Sequence, residues 1–515
     1  MYTLKEETVL AVQEKPAVAR AGKREWWGLA VLMLPVLLIS IDNNVLSFAI
    51  PSLSQALAPT GVELLWIVDI YALVLAGLLV PMGSLGDRIG RLKLLMIGSA
   101  GFGAFSLVAA FAPSAMLLIV ARALMGVFGA MLMPATLSLI RNIFTDPSQR
   151  RIAVAIWAAG FSGGAALGPI VGGVLLEHFW WGSVFLLSIP VLLPLLIFAP
   201  MLLPESKDPS PGAVDIPGVI LVMGAMLSVT YGIKEFAHDG AAAGLPFIAA
   251  GLVLGFFFTR RQLSREKPML DVRLFRNPVF TGSIAANLLS LFAMVGFIFF
   301  LSQHLQMVVG QTPIQAGLTM LPGLVLTIIT GLAVVPLVKR VRPAVVVAGG
   351  LLFNAAGYAL VFASGENVTV MTLVIAFLLL GVGVGAAETI SNDLILASVP
   401  PSRAGSASAI SETAYEIGSV LGTAVLGSIL TAAYRSGVSV PGGLSPEQTA
   451  AAGETLGGAV HVAEGLPADQ AASLLHSAQA AFDSGVSVTT LIGVITMVLA
   501  AVGAGILIRR VPAHH

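Results

Sequence analysis

Residues 62–93 read VELLWIVDIYALVLAGLLVPMGSLGDRIGRLK. The first 21 carry two charges, Glu63 and Asp69, after which the chain changes abruptly to Gly, Asp, Arg and Lys. About 20 apolar residues are what an α-helix needs to cross a hydrocarbon core at roughly 1.5 Å per residue. The stretch therefore predicts a spanning helix that ends in a charged, glycine-bearing turn. One carboxylate, Asp69, is left inside the apolar layer.

The pattern repeats along the chain. Fourteen such stretches lie at about 28–50, 62–82, 93–112, 114–141, 152–176, 182–202, 215–234, 243–259, 279–304, 312–337, 343–363, 368–398, 404–433 and 486–508. None alternates with period two over a sustained length, which argues against a membrane β-barrel. Of 515 residues 57% are hydrophobic and 10% charged, with mean hydropathy +0.94. A soluble domain has about 25% charged residues, so soluble and disordered classes are both excluded. There is no cysteine, hence no disulfide frame and no thiolate site. The first stretch follows a charged tail and ends IDNNVLSFAIP, unlike a cleavable signal peptide.

Lys+Arg and Asp+Glu number 27 each, and the pI near 7.1 gives no reason to expect a nucleic-acid partner. The zero net charge hides a segregation. With the N-terminus inside, 24 Lys/Arg fall on the inner side, only Lys234 and Arg435 on the outer side, and Arg122 within span 4. By the positive-inside rule both termini are expected in the cytoplasm of a multi-pass protein of the cell membrane.

The expected organisation is all-α. It comprises a cytoplasmic tail (1–27), a six-helix bundle (28–202), an inserted helix pair with its loop (203–278), a second six-helix bundle (279–508) and a short tail (509–515). The tail over 1–24 reads as disordered. Span 5 carries GFSGGAALGPIVGG (160–173), and eight spans on, span 13 carries GSVLGTAVLG (418–427). Gly160, Gly164, Gly168 and Gly172 form a bare stripe that suits either close helix packing or a moving interface. The outer loop 435–485 has helix-start signals at Ser445-Pro446 and Pro467-Ala468, so runs 446–460 and 467–482 are expected to form a helical hairpin.

Ionisable residues inside spans cost about 2.5–3.5 kcal/mol each on insertion scales and are retained for use. Asp42 lies in span 1, Asp69 in span 2, Glu388 and Asp393 in span 12, and Glu412 and Glu416 in span 13. Arg122 reads as the only basic residue clearly inside. Asp42, Asp69 and Arg122 fall roughly 10–12 Å from the outer ends of their helices and can share a layer, with Asp42 and Arg122 as a switchable or a permanent pair. Glu412 and Glu416 are one turn apart, and Glu388 lies at similar depth with Asn392 one turn below it. Close buried carboxylates cannot all ionise cheaply, which makes a proton site, a cation site, or both. Asp393, nearer the cytoplasm, suits a water-filled vestibule. Phe48, Trp66, Tyr71, Trp157 and Tyr415 lie near these acids and could face a cation.

GSLGDRIGRLK (83–93) resembles motif A of the major facilitator superfamily, with Gly83 and Gly90 at tight turns and Asp87, Arg88 and Arg91 as its charges. RALMGVFGA (122–130) is similar to the superfamily's Arg-bearing proton-coupling motif, and GPIVGG, with Gly168, Pro169, Gly172 and Gly173, to its antiporter signature. IDNNVLSFAIP (41–51), with Asn44 in place of the usual Thr, and LLWIVDIYALVLAG (64–77) resemble the fourteen-helix drug/proton antiporter branch. The likeness is to the QacA, SmvA and LfrA group of multidrug exporters, and most to the LfrA type.

The resemblance implies alternating access by two helix bundles, with no enzymatic reaction, cofactor or metal. The drive would be the proton motive force, and the cargo lipophilic cations such as quaternary ammonium compounds, ethidium-like dyes and acriflavine. It assigns proton coupling to Asp42, Arg122, Glu412 and Glu416. From the residues themselves, the acids and aromatics read above, Asp42, Asp69, Glu388, Glu416, Trp66, Tyr71, Trp157 and Tyr415, are the expected substrate contacts. The resemblance implies that Asp87 approaches the start of span 13, just after Pro400-Pro401-Ser402, when the cytoplasmic side closes. Span 10 (321–335) has no acid, unlike QacA-like proteins that carry one there. A functional monomer is expected. A proton-coupled nutrient symporter, or a lipid exporter or lipid-binding accessory protein of the same fold, remain the alternatives. An ATP-driven pump is disfavoured because no G-x-x-x-x-G-K-[ST] loop occurs.

Overall fold

A computed structural model describes residues 20–207, 215–266, 268–365, 368–400, 404–509 and 511, apart from some side chains within 147–166 and 404–406. The expectation of disorder over 1–24 therefore falls largely outside the described residues. Among those described, all regular structure is helical. The long helices are α1 (Lys23–Leu57), α2 (Gly61–Ile89), α3 (Arg91–Ala110), α4 (Ala115–Ile143), α5 (Pro147–His178), α6 (Ser183–Leu202), α7 (Ile216–Asp239) and α8 (Ala241–Ser264). They continue as α9 (Pro278–Val308), α10 (Pro313–Leu337), α11 (Pro343–Ser364), α12 (Val370–Ala397) and α13 (404–437). Two short helices, α14 (Pro446–Glu454) and α15 (Leu456–Glu464), precede α16 (Ala468–Ile508), which carries span 14. Among the described residues, thirteen helices are long and apolar enough to cross a membrane, and α5 adds the shorter apolar stretch Leu167–His178. This is a multi-pass membrane protein.

Helix starts follow local chemistry. Thr60 and Glu63 close a capping box at α2, as do Thr312 and Gln315 at α10, so otherwise orphaned N–H groups are satisfied where each helix begins. Large apolar side chains such as Leu252, Leu332, Met371 and Leu499 remain exposed around the perimeter. Water would penalise that belt, whereas a bilayer does not.

The packing repeats with an offset of eight helices. Helix α5 packs on α1, α4 on α2 and on α3, and the same pairings recur as α13 on α9 and α12 on α10 and on α11. The glycine stripe of α5 serves the first pairing. A Cβ on Gly164 would lie 2.7 Å from Ser40 Cβ, and one on Gly168 2.8 Å from Asn44 Cβ. In α13, a Cβ on Gly422 would lie 2.6 Å from Phe292 O of α9. Both α9 and α13 contain a π-helical turn, at His304–Val308 and Gly422–Gly427.

The ends of the helices are called inner and outer here, the inner end being the Lys/Arg-rich one. Contacts between the two halves are built on the outer side. Ser302 Oγ donates to Ser47 O at 2.7 Å, and Gln306 Nε2 to Phe48 O at 3.3 Å. A Cβ on Gly173 of α5 would lie 2.8 Å from Ile314 Cα of α10, and one on Gly317 2.6 Å from Pro169 O. Thus the four-glycine stripe is helix packing within one half, whereas its neighbours Pro169 and Gly173 face the other half.

Two sequence expectations are corrected. The run 467–482 is helical as expected and packs on α15, but it does not end there: it continues as α16 into span 14, the helix passing through Ser484 and Gly485 unbroken. The first arm instead divides at Thr455, whose extended backbone (φ −145°, ψ 153°) starts α15. Glu454 accepts from Gly61 N at 3.2 Å, and Tyr434 Oη donates to Ala452 O at 2.7 Å, so α14 seats on the outer ends of α2 and α13.

The inserted pair α7–α8 packs mainly on itself, and α7 also touches α2 and the outer part of α13. Its inner end is stapled by Asp215, the N-cap of α7. Asp215 Oδ1 accepts from Arg261 Nη2 at 2.7 Å and meets Arg265 Nη1 at 2.9 Å, while Oδ2 accepts from Gln262 Nε2 at 3.1 Å. Burial alone would raise this carboxyl's pKa; the Arg261, Gln262 and Gly218 N–H bonds hold it down at about 2.

Candidate functional site

A cavity of about 530 Å³ lies between the halves. One wall comes from α12 and α13. Glu412 and Glu416 stand one turn apart on α13 with Tyr415 between them, and Glu388 joins them from α12. Glu416 is 4% exposed and its Oε2 has no hydrogen-bond partner among the described residues. An ionised carboxylate in that position is costly to keep unpaired, so the site suits a proton or a cation. Below the acids, Ser411 Oγ donates to Asn392 Oδ1 at 2.8 Å and Asn287 Nδ2 donates to Ser411 Oγ at 3.1 Å. That network ties α9, α12 and α13 into one rigid wall.

The opposite wall comes from α1, α2, α4 and α5. Asp42 and Arg122 meet, Oδ2 to Nη1, at 3.6 Å, with side chains 9% and 2% exposed. The separation is long for a hydrogen bond, and Arg122 Nε and Nη1 have none among the described residues. The guanidinium is instead held over the rings of Tyr71, 5.0 Å from its centroid, and Phe185, 5.8 Å away. Arg122 lines the cavity, as does Trp157, whose Nε1 donates to Thr136 Oγ1 at 3.2 Å.

Sequence reading took Lys234 as an outer-loop residue and Arg122 as the only interior base. The structure overturns both. Helix α7 runs on to Asp239, five residues past the expected end, and Lys234 is 1% exposed. Its Nζ lies 2.9 Å from Asp69 Oδ2 and 4.0 Å from the centroid of the Trp66 ring. Lysine was counted as a span terminator, but with a carboxylate and an indole face waiting it is carried inside.

Of the residues expected to meet substrate, Asp69, Glu388, Glu416, Trp157 and Tyr415 line the cavity, together with Glu412. Trp66 and Tyr71 are not among its lining residues: Trp66 lies against the Lys234 ammonium, and Tyr71 is fully buried beneath Arg122. Asp42 reaches the cavity through Arg122. Phe48 is core, and Asp393 is exposed rather than cavity-lining. Asn287 carries no charge to mark it, and its sequence signal is an amide within the largely apolar span 9.

At the inner end, Gly90 adopts φ +113° between α2 and α3, a conformation that favours glycine, and a Cβ there would strike the Glu205 carboxylate at 2.5–2.7 Å. Glu205 accepts from Leu92 N and Lys93 N at 3.0 and 3.1 Å, an anion at a helix N-terminus that sequence reading did not find. Gly83 is not at a turn: α2 continues through it to Ile89. Asp87 Oδ1 accepts from Arg91 Nη2 at 2.9 Å, Arg91 N donates to Ser206 O at 2.9 Å, and Arg88 is exposed. The expected partner of Asp87, just after residues 400–402, lies outside the described residues.

The sequence profile of the Major Facilitator Superfamily matches residues 32–423, most of the chain and nearly all of both cavity walls. The chain belongs to the major facilitator superfamily. It is therefore a transporter rather than an enzyme. It is 55% identical over 500 residues to the multidrug efflux pump LfrA of Mycolicibacterium smegmatis, covering 97% of this chain and 99% of the relative. The methyl viologen resistance protein SmvA of Salmonella typhimurium is 36% identical over 465 residues, 89% of this chain and 93% of SmvA. Among solved structures, an inward-facing, unoccupied bacterial homologue of the human lysosomal transporter Spinster superposes with TM-score 0.63 at 17% identity, covering 94% and 98% of the two chains. That likeness is one of fold.

Proposed function

We propose that this chain exports lipophilic cations across the cell membrane in exchange for protons, by alternating access of its two helix halves. The observation that carries the reading is the cavity wall of Glu388, Glu412 and Glu416, with Glu416 buried and unpartnered. The extensive identity to LfrA supports drug efflux as the purpose of that wall. A cation with an apolar body gains from both the carboxylates and the aromatic faces of Trp157 and Tyr415. Because the same carboxylates can hold protons, cargo and proton would compete, which is the minimal requirement for exchange.

Asp42 and Arg122 serve as the second proton site. Protonating Asp42 removes the negative partner of a guanidinium held 3.6 Å away, and frees Arg122 to move relative to the cavity. The contacts between the halves on the outer side, from Ser302 to Ser47 and from Gln306 to Phe48, suit a state that takes cargo from the cytoplasm. Both termini are then cytoplasmic, and one chain suffices as the working unit. The test is dye movement in liposomes. An imposed proton gradient should drive ethidium transport that collapses with a protonophore; transport that ignores the gradient would refute exchange.

A further inference from the structure

The inserted helix α7 delivers a lysine side chain into the apolar layer, and the export reading leaves it without a role. Lys234 is fully buried, its ammonium contacts Asp69 at 2.9 Å, and its Nζ has no hydrogen bond of good geometry. Asp69 lines the cavity; Lys234 does not, and approaches from behind it, where a small crevice is bounded by α2, α7 and α13. The face of Trp66, 4.0 Å away, closes the other side of the ammonium.

We propose that Lys234 is a tethered internal cation that occupies Asp69 and thereby sets how many positive charges the cavity accepts. This rests on the cation-export reading. A lysine attached to the helix beside Asp69 is present at a far higher effective concentration than any cargo, so diffusing cations cannot compete for that carboxylate. The other acid within the apolar spans of the same half, Asp42, is likewise matched, by Arg122. Among the described acids that line the cavity, those of the α12–α13 wall, Glu388, Glu412 and Glu416, have no basic partner at ion-pair distance, whereas Asp69 has Lys234. Negative charge is thus confined to one side of the cavity, which suits a single cationic centre. A dication needs a second anionic point across the cavity, and Asp69 would be that point but for Lys234. Lys234 is accordingly a positioning residue for charge, acting through Asp69.

The test compares ethidium, a monocation, with propidium, a dication on the same ring system, by fluorescence binding to the purified full-length protein in detergent. Lys234→Met keeps an apolar chain but removes the charge. It should raise the propidium-to-ethidium affinity ratio by about tenfold, a difference of about 1.4 kcal/mol. Lys234→Met/Asp69→Asn should return the ratio to that of the parent. Asp69→Asn alone leaves the ammonium unmatched behind the cavity and should weaken both dyes, propidium more; the double variant should rescue both. A folding defect common to these variants would weaken both dyes equally and would not be rescued by the second substitution. A ratio unmoved by Lys234→Met in protein that still binds ethidium overturns the assignment. Should Lys234→Met fail to fold, equal weakening of the two dyes by Asp69→Asn overturns it. If the parent binds neither dye, the export reading itself falls, a result distinguishable from the others.

Discussion

Asp42→Asn separates charge from shape at the proposed second proton site. The amide preserves size and polarity, so only the electrostatic partner of Arg122 is lost. The two charges lie 3.6 Å apart with side chains 9% and 2% exposed, so solvent screens them little. At an effective dielectric of about 20, charges at that separation attract by about 4–5 kcal/mol. Arg122 keeps the Tyr71 and Phe185 faces, and aromatic contacts of that kind return about 0.5–2 kcal/mol. Those contacts are the same in parent and variant and cancel, so the loss should be about 4–5 kcal/mol, at the upper end of what breaking a buried ion pair costs. Asp42→Asn should unfold at a clearly lower temperature than the parent in detergent. Asp42→Asn/Arg122→Met should recover most of that loss, because no unmatched charge remains. Neither variant should couple dye movement to a proton gradient in liposomes. A single variant as stable as the parent, or a double variant less stable than the single, would refute the pairing argument.

Other substitutions test other parts of the account. Glu416→Gln should weaken ethidium about tenfold or more while leaving a neutral dye of similar size nearly unaffected, since only the charged cargo uses the unpartnered carboxylate; equal losses in a binding titration would point to a folding defect instead. Gly173→Val places a Cβ 2.8 Å from Ile314 Cα on the opposite half and should hold the outer side open, seen as longer distances between spin labels on the outer ends of α5 and α10. Gly349→Ala, where a Cβ meets nothing within 4 Å, should leave those distances unchanged. Asp215, held at about 2 against an ordinary 3.8, stabilises the folded state above pH 4 and loses that contribution as pH falls toward 2. Asp215→Asn should therefore lower the melting temperature at pH 7 and flatten its acid-side decline between pH 4 and pH 2.

The fold was legible because the constraints that set it are one-dimensional. Span length, the segregation of Lys and Arg, and capping signals such as Thr60 with Glu63 are all properties of neighbours in sequence. Cavity residues were legible for a related reason. Carboxylates as expensive as Glu388, Glu412 and Glu416 stand out in an apolar helix whatever surrounds them. What sequence reading missed depends on partners distant along the chain. Lys234 resembles a helix end until Asp69 and Trp66 are brought to it from α2, 165 residues away in the case of Asp69. Glu205 resembles an ordinary loop acid until the turn at Gly90 aims two N–H groups at it. Trp66 and Tyr71 lay near acids in sequence, but their rings went to Lys234 and Arg122 rather than to the cavity.

The central claim is that cargo and protons compete for the carboxylates of the α12–α13 wall, and proton release on binding tests it most directly. Detergent-solubilised protein in weakly buffered solution is titrated with ethidium near neutral pH while a pH indicator is followed, and the affinity is measured across a pH series. The account predicts that protons leave as ethidium binds, that ethidium binds more tightly as pH rises, and that Glu412→Gln/Glu416→Gln abolishes both effects. Saturable ethidium binding with no proton release and an affinity independent of pH would contradict it.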